Sequence, residues 1–222
     1  MNVSSTGRAA WPPVPGSPAT PRSPGRQRTA RGERTRRRLL AAAERVFTEH
    51  GYHDASMVKI TEAAEVGQGT FYLYFRSKLE IFEELVDDLN RSVRRALAVA
   101  VEGLTRRRDI ERAGLVAFLR FTAEHPGLYS VIRQADHVSP DRTRLYYESI
   151  ARPYADGLRG SMQRGEIVDA DPEVLAYSLM AIAEMLGRRW VLWNEDQHAP
   201  EHIIDQALGF IDRGLGIKSA DA

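Results

Sequence analysis

The sequence predicts an all-α protein in which three short helices precede six longer ones. Apolar residues recur every three or four positions from residue 35 onward, which is the period of a helix. No alternating run of β-branched residues is flanked by hairpin turns. Residues that start and stop helices divide the periodic region, and the boundary between the short and the long helices falls at Arg76–Ser77.

The composition favours a folded, intracellular protein. Of the 222 residues 43% are hydrophobic, which is enough for a packed core. The absence of cysteine excludes disulfides, cysteine nucleophiles, iron–sulfur clusters and cysteine-based zinc sites. No apolar run approaches the ~18 residues of a membrane span, and the N-terminus has no signal-peptide core. We therefore expect a cytoplasmic protein with no membrane partner, no metal and no cofactor.

The charge is concentrated at the N-terminus. The net charge is only +1, but residues 1–38 hold nine arginines and one acid, Glu33. Such a basic end favours a polyanionic partner. Residues 1–33 also contain six of the eleven prolines, so we expect them to be disordered. This segment is either a solvated tail or a basic arm that follows DNA phosphates or enters a minor groove.

Residues that favour the start or the end of a helix mark the bounds of the predicted helices. Ser56 and Ser77 can cap helices, Gly51 can supply a left-handed stop, and Pro126-Gly127 ends a helix. Ser139-Pro140-Asp141 and Asp171-Pro172-Glu173 combine a cap, a proline and an acid, which is typical of a helix start. We expect helices over about 35–50, 56–64, 68–75, 77–101, 110–124, 128–134, 140–164, 172–193 and 201–215.

The second and third short helices, joined by a turn at 65–67, predict a helix-turn-helix. In the third helix, Phe71 and Phe75 are spaced to anchor it on a core. We expect the polar tips of Gln68, Thr70, Tyr72 and Tyr74 to remain available to bases and phosphates. Lys78 follows in the first turn of the next helix, where a cation is unfavourable unless it faces a phosphate.

The stretch from Thr35 to Phe82 resembles the DNA-binding domain of the TetR family of bacterial transcriptional regulators. The matching residues are Leu40-Ala41-Ala42-Ala43, Phe47, Gly51-Tyr52, Ser56-Met57, Ile60, Ala63-Ala64, Val66, Gly69-Thr70-Phe71-Tyr72-Leu73-Tyr74-Phe75, Ser77-Lys78 and Ile81-Phe82. The resemblance implies that seven residues face DNA: Ser56, Gln68, Gly69, Thr70, Tyr72, Tyr74 and Lys78. The chain departs from the family at Glu65, where glycine is frequent, and at Gly67 and Gln68, where serine and lysine are frequent.

The resemblance also implies an architecture and a function. It implies a helix-turn-helix DNA-binding domain over 34–76, a larger helical ligand-binding and dimerisation domain over 77–216, and a short C-terminal tail over 217–222. A homodimer of this kind would bind a pseudo-palindromic operator, most simply as a repressor, and a small apolar effector would release it. The alternative is an α-helical enzyme or small-molecule carrier with a vestigial DNA-binding domain, although we find no catalytic motif.

The last two helices are apolar on two faces, which predicts both a core and a second subunit to bury against. For the dimer interface we expect one stripe, consisting of Leu175, Leu179, Ile182, Leu186, Trp193, Ile204, Leu208 and Ile211. A second stripe runs beside it through Val174, Tyr177, Ala181, Met185 and Leu192. The alternative is a single, fully buried core.

A ligand pocket is a further hypothesis for the larger domain. Aromatic and methionine side chains suit an apolar cavity, although such residues also fill simple cores. The candidates are Phe118, Phe121, Tyr129, Ile132, Tyr146, Tyr147, Tyr154, Met180 and Met185.

Overall fold

A computed structural model describes residues 30–217, which contain helices and no strand. The all-α prediction is therefore confirmed. The helices are α1 (Ala30–Asp54), α2 (Met57–Ala63), α3 (Gln68–Tyr72), α4 (Lys78–Val101), α5 (Arg107–Glu124), α6 (Leu128–Val138), α7 (Pro140–Gln163), α8 (Pro172–Gly187) and α9 (Glu201–Leu215), with a π-helix over Arg188–Leu192. None of the helices in the described range is long and apolar enough to cross a membrane.

The described chain forms two compact units. The N-terminal unit contains residues 30–91 and 127–146, and the C-terminal unit contains residues 92–126 and 147–217. The division falls inside α4 and α7, whereas the sequence predicts a domain boundary at Arg76–Ser77. The first turns of α4 belong to the N-terminal unit because Ile81 and Phe82 are fully buried there beside Phe47. Which segments fold as independent domains stays a prediction.

Helix α1 begins at Ala30, inside the segment expected to be disordered. Arginine favours helices, and Glu33 stabilises the first turn as an acid at the positive end of the helix dipole. Thr35 Oγ1 donates to the Arg31 carbonyl at 3.1 Å, and Arg37 Nε lies 3.8 Å from Glu33. The expectation of disorder is therefore wrong for residues 30–33. The rest of the expected tail and residues 218–222 lie outside the described residues.

The residues predicted to start and end the helices are largely confirmed in these roles. Gly51 has φ +73°, which kinks α1 three residues before its end. Ser56 and Asp171 accept hydrogen bonds from the first-turn amides of α2 and α8, and Gly216 ends α9 in the left-handed conformation. Helix α3 is shorter than expected, because the chain continues through turns from Leu73 to the start of α4.

The C-terminal unit contains two clusters of buried apolar side chains. One includes Leu158, Ala176, Leu179, Ile211 and Leu215 from α7, α8 and α9. The other is formed by Leu115, Leu119, Val191, Ala199, Ile204 and Leu208. Helix α8 therefore packs on residues of α7 and α9, and its regular part ends earlier than predicted, at Gly187, where the π-helix begins.

Candidate nucleic-acid interface

The exposed face of α3 is formed by Gln68, Gly69, Tyr72 and Leu73. Gln68 and Tyr72 are four residues apart, as are Gly69 and the C-cap residue Leu73, so the members of each pair lie on the same side. On the opposite side Phe71 is fully buried and Phe75 is 2% exposed. The predicted core side of this helix is therefore confirmed. Gln68, Gly69 and Tyr72 are exposed as expected, while Thr70 and Tyr74 are half-buried.

Leu73 is the surface residue that sequence reasoning missed. It is 81% exposed, compared with 54% for Tyr72. Helical periodicity from Phe71 places position 73 on the outer face, so the signal was available, but a leucine is ordinarily expected to lie inside.

The turn between α2 and α3 is held by backbone bonds and by cations of α1. Glu65 has φ +51°, a left-handed conformation that costs a non-glycine residue about 1–2 kcal/mol. The Val66 amide donates to the Thr61 carbonyl at 3.0 Å. Arg38 donates to the Ala64 carbonyl at 2.7 Å, and Arg45 donates to the Ala63 carbonyl at 2.9 Å. These two arginines satisfy carbonyls at the end of α2 that have no partner within the helix.

Lys78, which we expect to face a phosphate, makes its described hydrogen bonds within the protein. Its ammonium donates to the carbonyls of Tyr52, His53 and Ala55 at 2.6, 3.0 and 2.8 Å. It also lies 4.6 Å from the centre of the Tyr52 ring. The three protons of the ammonium are therefore used inside the protein. The positive charge of Lys78 at the start of α4 is stabilised by these three carbonyls, without a phosphate. The same hydrogen bonds hold the segment that leads into α2.

Ser56 lies where that segment enters α2. Its hydroxyl is half-buried and accepts a hydrogen bond from the Lys59 amide at 3.2 Å. The residue is therefore a helix cap as predicted, and its oxygen has a partner within the protein. Whether Ser56 also contacts DNA stays a prediction.

The acidic side chains of α4 hold other parts of the N-terminal unit. Glu84 forms an ion pair with Arg36 of α1 and also accepts from Arg91 at 3.2 Å. Burial acts against the charge of Glu84, but the hydrogen bonds and charges of Arg36 and Arg91 hold its pKa below the usual value. Arg142 pairs with Asp87, and Ser139 donates to Glu83 at 2.8 Å. The Glu84–Arg36 ion pair thus connects α4 to α1, which in turn supports the helix-turn-helix through Arg38 and Arg45.

Comparison with known proteins agrees with this geometry. A profile described as "Bacterial regulatory proteins, tetR family" matches residues 39–85, which extend from the middle of α1 into α4. The chain is 37% identical over 168 residues to the uncharacterized HTH-type transcriptional regulator YdgC of Bacillus subtilis, covering 73% of this chain and 84% of that protein.

The chain belongs to the TetR family.

Two further proteins extend the similarity of this TetR-family regulator. It is 30% identical over 169 residues to the HTH-type transcriptional activator FasR of Mycolicibacterium smegmatis, covering 74% of this chain and 75% of FasR. A crystal structure of the transcriptional regulator FadR from Bacillus subtilis, in complex with stearoyl-CoA, matches with a TM-score of 0.68. That match covers 79% of this chain and 96% of FadR at 20% identity, so it shows a shared fold.

The structure corrects the stripe expected to form the dimer interface of this TetR-family chain. Leu179, Ile204, Leu208 and Ile211 are at most 6% exposed and lie in the core of the C-terminal unit. Leu175, Ile182 and Leu186 pack against the same clusters, and only Trp193 is largely exposed. The choice was wrong because both stripes of α8 have the same period, and only the positions of α5, α7 and α9 decide which one faces inward.

Most of the other stripe is exposed, although Leu192 is half-buried. On α8, Val174, Tyr177 and Met185 are 61%, 38% and 54% exposed, and Phe210 of α9 is 60% exposed. Ala181 lies on the same side of α8 and is exposed as well. We call these five residues the outer stripe. It leaves large apolar side chains in solvent on two helices of the C-terminal unit, which is unusual for a surface that stays uncovered.

The residues expected to line a ligand pocket are distributed over both units. Tyr129, Ile132 and Tyr146 are buried in the N-terminal unit, and Phe121 is buried in the C-terminal unit. Phe118, Tyr147, Tyr154 and Met180 are half-buried in the C-terminal unit. Met185 belongs to the outer stripe, so the expectation that it lines a pocket is wrong.

A buried polar group beside Tyr154 was not anticipated from the sequence. Arg107 and Glu111 are 4% and 5% exposed and form an ion pair one turn apart on α5. The Tyr154 hydroxyl donates to Glu111 Oε2 at 2.5 Å, and the Arg107 guanidinium lies 5.3 Å from the centre of its ring. Burial and the charge of Glu111 raise the pKa of Tyr154 well above its usual value, so this phenol stays a hydrogen-bond donor.

Proposed function

We propose that this chain is a repressor that binds a pseudo-palindromic operator as a homodimer and is released by a small apolar effector. The exposed face of α3 carries the proposal, because an amide, a phenol and an apolar side chain are available there in the second helix of a helix-turn-helix. The N-terminal part of such a helix contacts base edges in the major groove. Our candidates for DNA contact remain Ser56, Gln68, Gly69, Thr70, Tyr72 and Tyr74, and Lys78 acts by positioning.

The outer stripe is the proposed dimer interface. A twofold contact uses the same patch on both subunits, and large apolar residues in such a patch bury one another. A twofold dimer would present two copies of α3 to half-sites about 34–36 Å apart, or a multiple of that distance. Trp193, at 63% exposed, is available to extend the patch.

The effector is proposed from the relatives and from the character of the C-terminal unit. FadR of Bacillus subtilis was crystallised with stearoyl-CoA, and its fold is shared by this chain. Phe118, Tyr147, Tyr154 and Met180 are half-buried side chains of the kind that line an apolar site. An effector changes DNA binding only by its different affinity for the two states of the dimer, so it must bind better to the state with the wrong spacing.

Repression is the simpler direction of control, because a bound dimer can block a promoter without touching the polymerase. FasR is named an activator, so the direction can differ among relatives. A reporter gene under the chain's own upstream DNA decides the direction. Repression predicts higher expression when the gene for this chain is deleted, and lower expression would overturn it.

The DNA-binding proposal is tested by titrating the full-length chain onto its own upstream DNA and onto random DNA. Tyr72→Ala is expected to weaken specific binding with little change in thermal stability, because this side chain is exposed. Phe75→Ala is the matched control on the buried side, and it should cost about 3–5 kcal/mol of folding free energy. Equal affinity of the wild-type chain for both DNAs would favour the enzyme or carrier alternative.

The dimer and the effector need separate measurements. Met185→Glu and Phe210→Glu should convert a dimer to a monomer in light scattering, whereas Val99→Glu, which replaces a side chain 66% exposed outside the outer stripe, should not. A wild-type monomer that binds the operator fully would contradict the dimer. Stearoyl-CoA should raise the melting temperature and release the operator, with coenzyme A alone as the control.

A further inference from the structure

The chemistry of the exposed face of α3 restricts which base pairs it can recognise. Its four exposed positions carry Gln68, Gly69, Tyr72 and Leu73 and hold no charged side chain. An arginine or lysine that forms two hydrogen bonds to guanine is the commonest specific contact in the major groove. That contact cannot be made from these four positions.

Two side chains of this face, Gln68 and Leu73, are suited to contact an A·T pair. A glutamine amide matches adenine, because its oxygen accepts from N6 and its nitrogen donates to N7. The thymine 5-methyl is the apolar group on the major-groove edge of the bases, and an apolar side chain is its natural contact. Gln68 stands at the first position of α3, where recognition helices meet bases.

The side chain of Tyr72 is exposed, but its hydroxyl has a partner within the protein. Its hydroxyl lies 3.4 Å from the sulfur of Met57 on α2, so the ring leans toward that helix. Leu73 is 81% exposed and therefore extends furthest into solvent among the apolar residues of this face. A leucine in that position loses little by facing a methyl group, whereas facing a phosphate would bury apolar surface against a charge.

We infer that α3 reads A·T base pairs, with Gln68 contacting adenine and Leu73 contacting the 5-methyl group of thymine. This inference rests on the proposed function, because it requires that α3 enter a major groove. It goes further than the proposed function by requiring that each half-site present A·T base pairs to α3.

The first test is selection of binding sites from randomised duplex DNA by the full-length wild-type chain. The inference expects A·T pairs at the central, most strongly selected positions of each half-site. Selection of G·C pairs at all of those positions would overturn it. Failure to select any sequence would instead reject the proposed function itself, and the inference would fall with it.

The second test removes single groups from the selected operator. Replacing thymine by uracil deletes only the 5-methyl group, and the wild-type chain should lose about 4-fold in affinity, the equivalent of one buried methylene. Replacing adenine by 7-deazaadenine deletes one acceptor and should cost on the order of 10-fold at the contacted position. These losses should be confined to the positions that α3 reads.

Variants assign each loss to a side chain. Leu73→Ala should bind the thymine and uracil operators equally, and Gln68→Ala should bind the adenine and 7-deazaadenine operators equally. Both residues are exposed, so the variants should keep the wild-type melting temperature. Val58→Ala is the control, because Val58 is 44% exposed on α2 and should leave both penalties unchanged. If Leu73→Ala kept the full uracil penalty, the thymine contact would be refuted.

Discussion

Both units contain ion pairs, but the N-terminal unit also uses cations to satisfy backbone carbonyls. In the N-terminal unit, Arg38 and Arg45 donate to backbone carbonyls at the end of the short helix α2. Lys78 donates to carbonyls at the end of the long helix α1 and just after it. In the C-terminal unit, the arginines of α5 pair with carboxylates instead. Arg107 pairs with Glu111, Arg108 with Asp212, and Arg112 with Glu201 and Asp205.

The length of α2 explains the contacts of Arg38 and Arg45. The last four carbonyls of any helix lack a partner within it, and in a helix of 7 residues such as α2 they are more than half of the total. Helices α5 and α9 have 18 and 15 residues, so most of their carbonyls are satisfied internally. The short helix α2 therefore depends on the guanidinium groups of Arg38 and Arg45 to satisfy carbonyls at its C-terminal end.

The largest expected effect in this comparison is at the buried pair of the C-terminal unit. Arg107→Met should lower the free energy of unfolding by about 3–5 kcal/mol, because it leaves the Glu111 carboxylate buried without its cation. Chemical denaturation measures the loss. Arg106→Ala is the control, since this neighbour is 67% exposed and its pairing distance to Asp109 is 3.8 Å. Equal effects of the two substitutions would contradict the importance of burial.

The next prediction distinguishes two roles of Lys78. Its ammonium either holds the segment that enters α2 or contacts a DNA phosphate. Lys78→Met should lower stability by about 1.5–3 kcal/mol, the range for hydrogen bonds to charged groups. Affinity for the operator should fall because the segment that enters α2 is released. The slope of log affinity against log salt should stay at the wild-type value, because no phosphate contact is lost.

Arg76→Ala is the matched control for the salt measurement, because Arg76 is an exposed cation two residues away. A phosphate contact at that position would reduce the salt slope by about 1 per subunit. If Lys78→Met reduced the slope by that amount, the ammonium would leave its carbonyls in the complex, and the original phosphate expectation would be restored.

A smaller effect is the pH dependence of stability, to which Glu84 and Asp87 of α4 should contribute with opposite signs. The folded-state pKa of Glu84 is held below its usual value, so its contribution is present above the usual pKa and is lost as the pH falls through the folded pKa. Burial raises the pKa of Asp87 despite Arg142, so folding becomes more favourable as Asp87 takes up a proton.

Thermal melting between about pH 6 and pH 3 checks both signs. Relative to the wild-type chain, Glu84→Gln should lose less stability on acidification, and Asp87→Asn should lose more. The same pH dependence for both variants would show that the two carboxylates do not differ in environment.

The smallest effect is expected at an exposed ion pair of the C-terminal unit. Arg112 bridges α5 to two carboxylates of α9, but the side chain of Arg112 is 46% exposed and those of Glu201 and Asp205 are 66% and 56% exposed. Arg112→Ala should cost about 0–1 kcal/mol and less at high salt. A loss comparable with that of Arg107→Met would mean that ion pairs, rather than burial, hold this unit together.

The sequence by itself determined the helices and the inward side of the recognition helix. Caps such as Ser56 and Asp171 act within one turn, and the left-handed glycines act at a single residue. The spacing of Phe71 and Phe75 likewise refers only to one short segment. These features depend on neighbours within about four residues along the chain, so local chemistry specifies them.

Only the tertiary structure decided the partners of side chains that have more than one plausible contact. Lys78 could have faced a phosphate, but Gly51 turns the chain so that three carbonyls meet its ammonium. Helix α8 is apolar on two sides with the same period, and the packing of α5, α7 and α9 selects the inner one. Periodicity shows that a face is buried or apolar, but the identity of what covers it depends on residues distant in sequence.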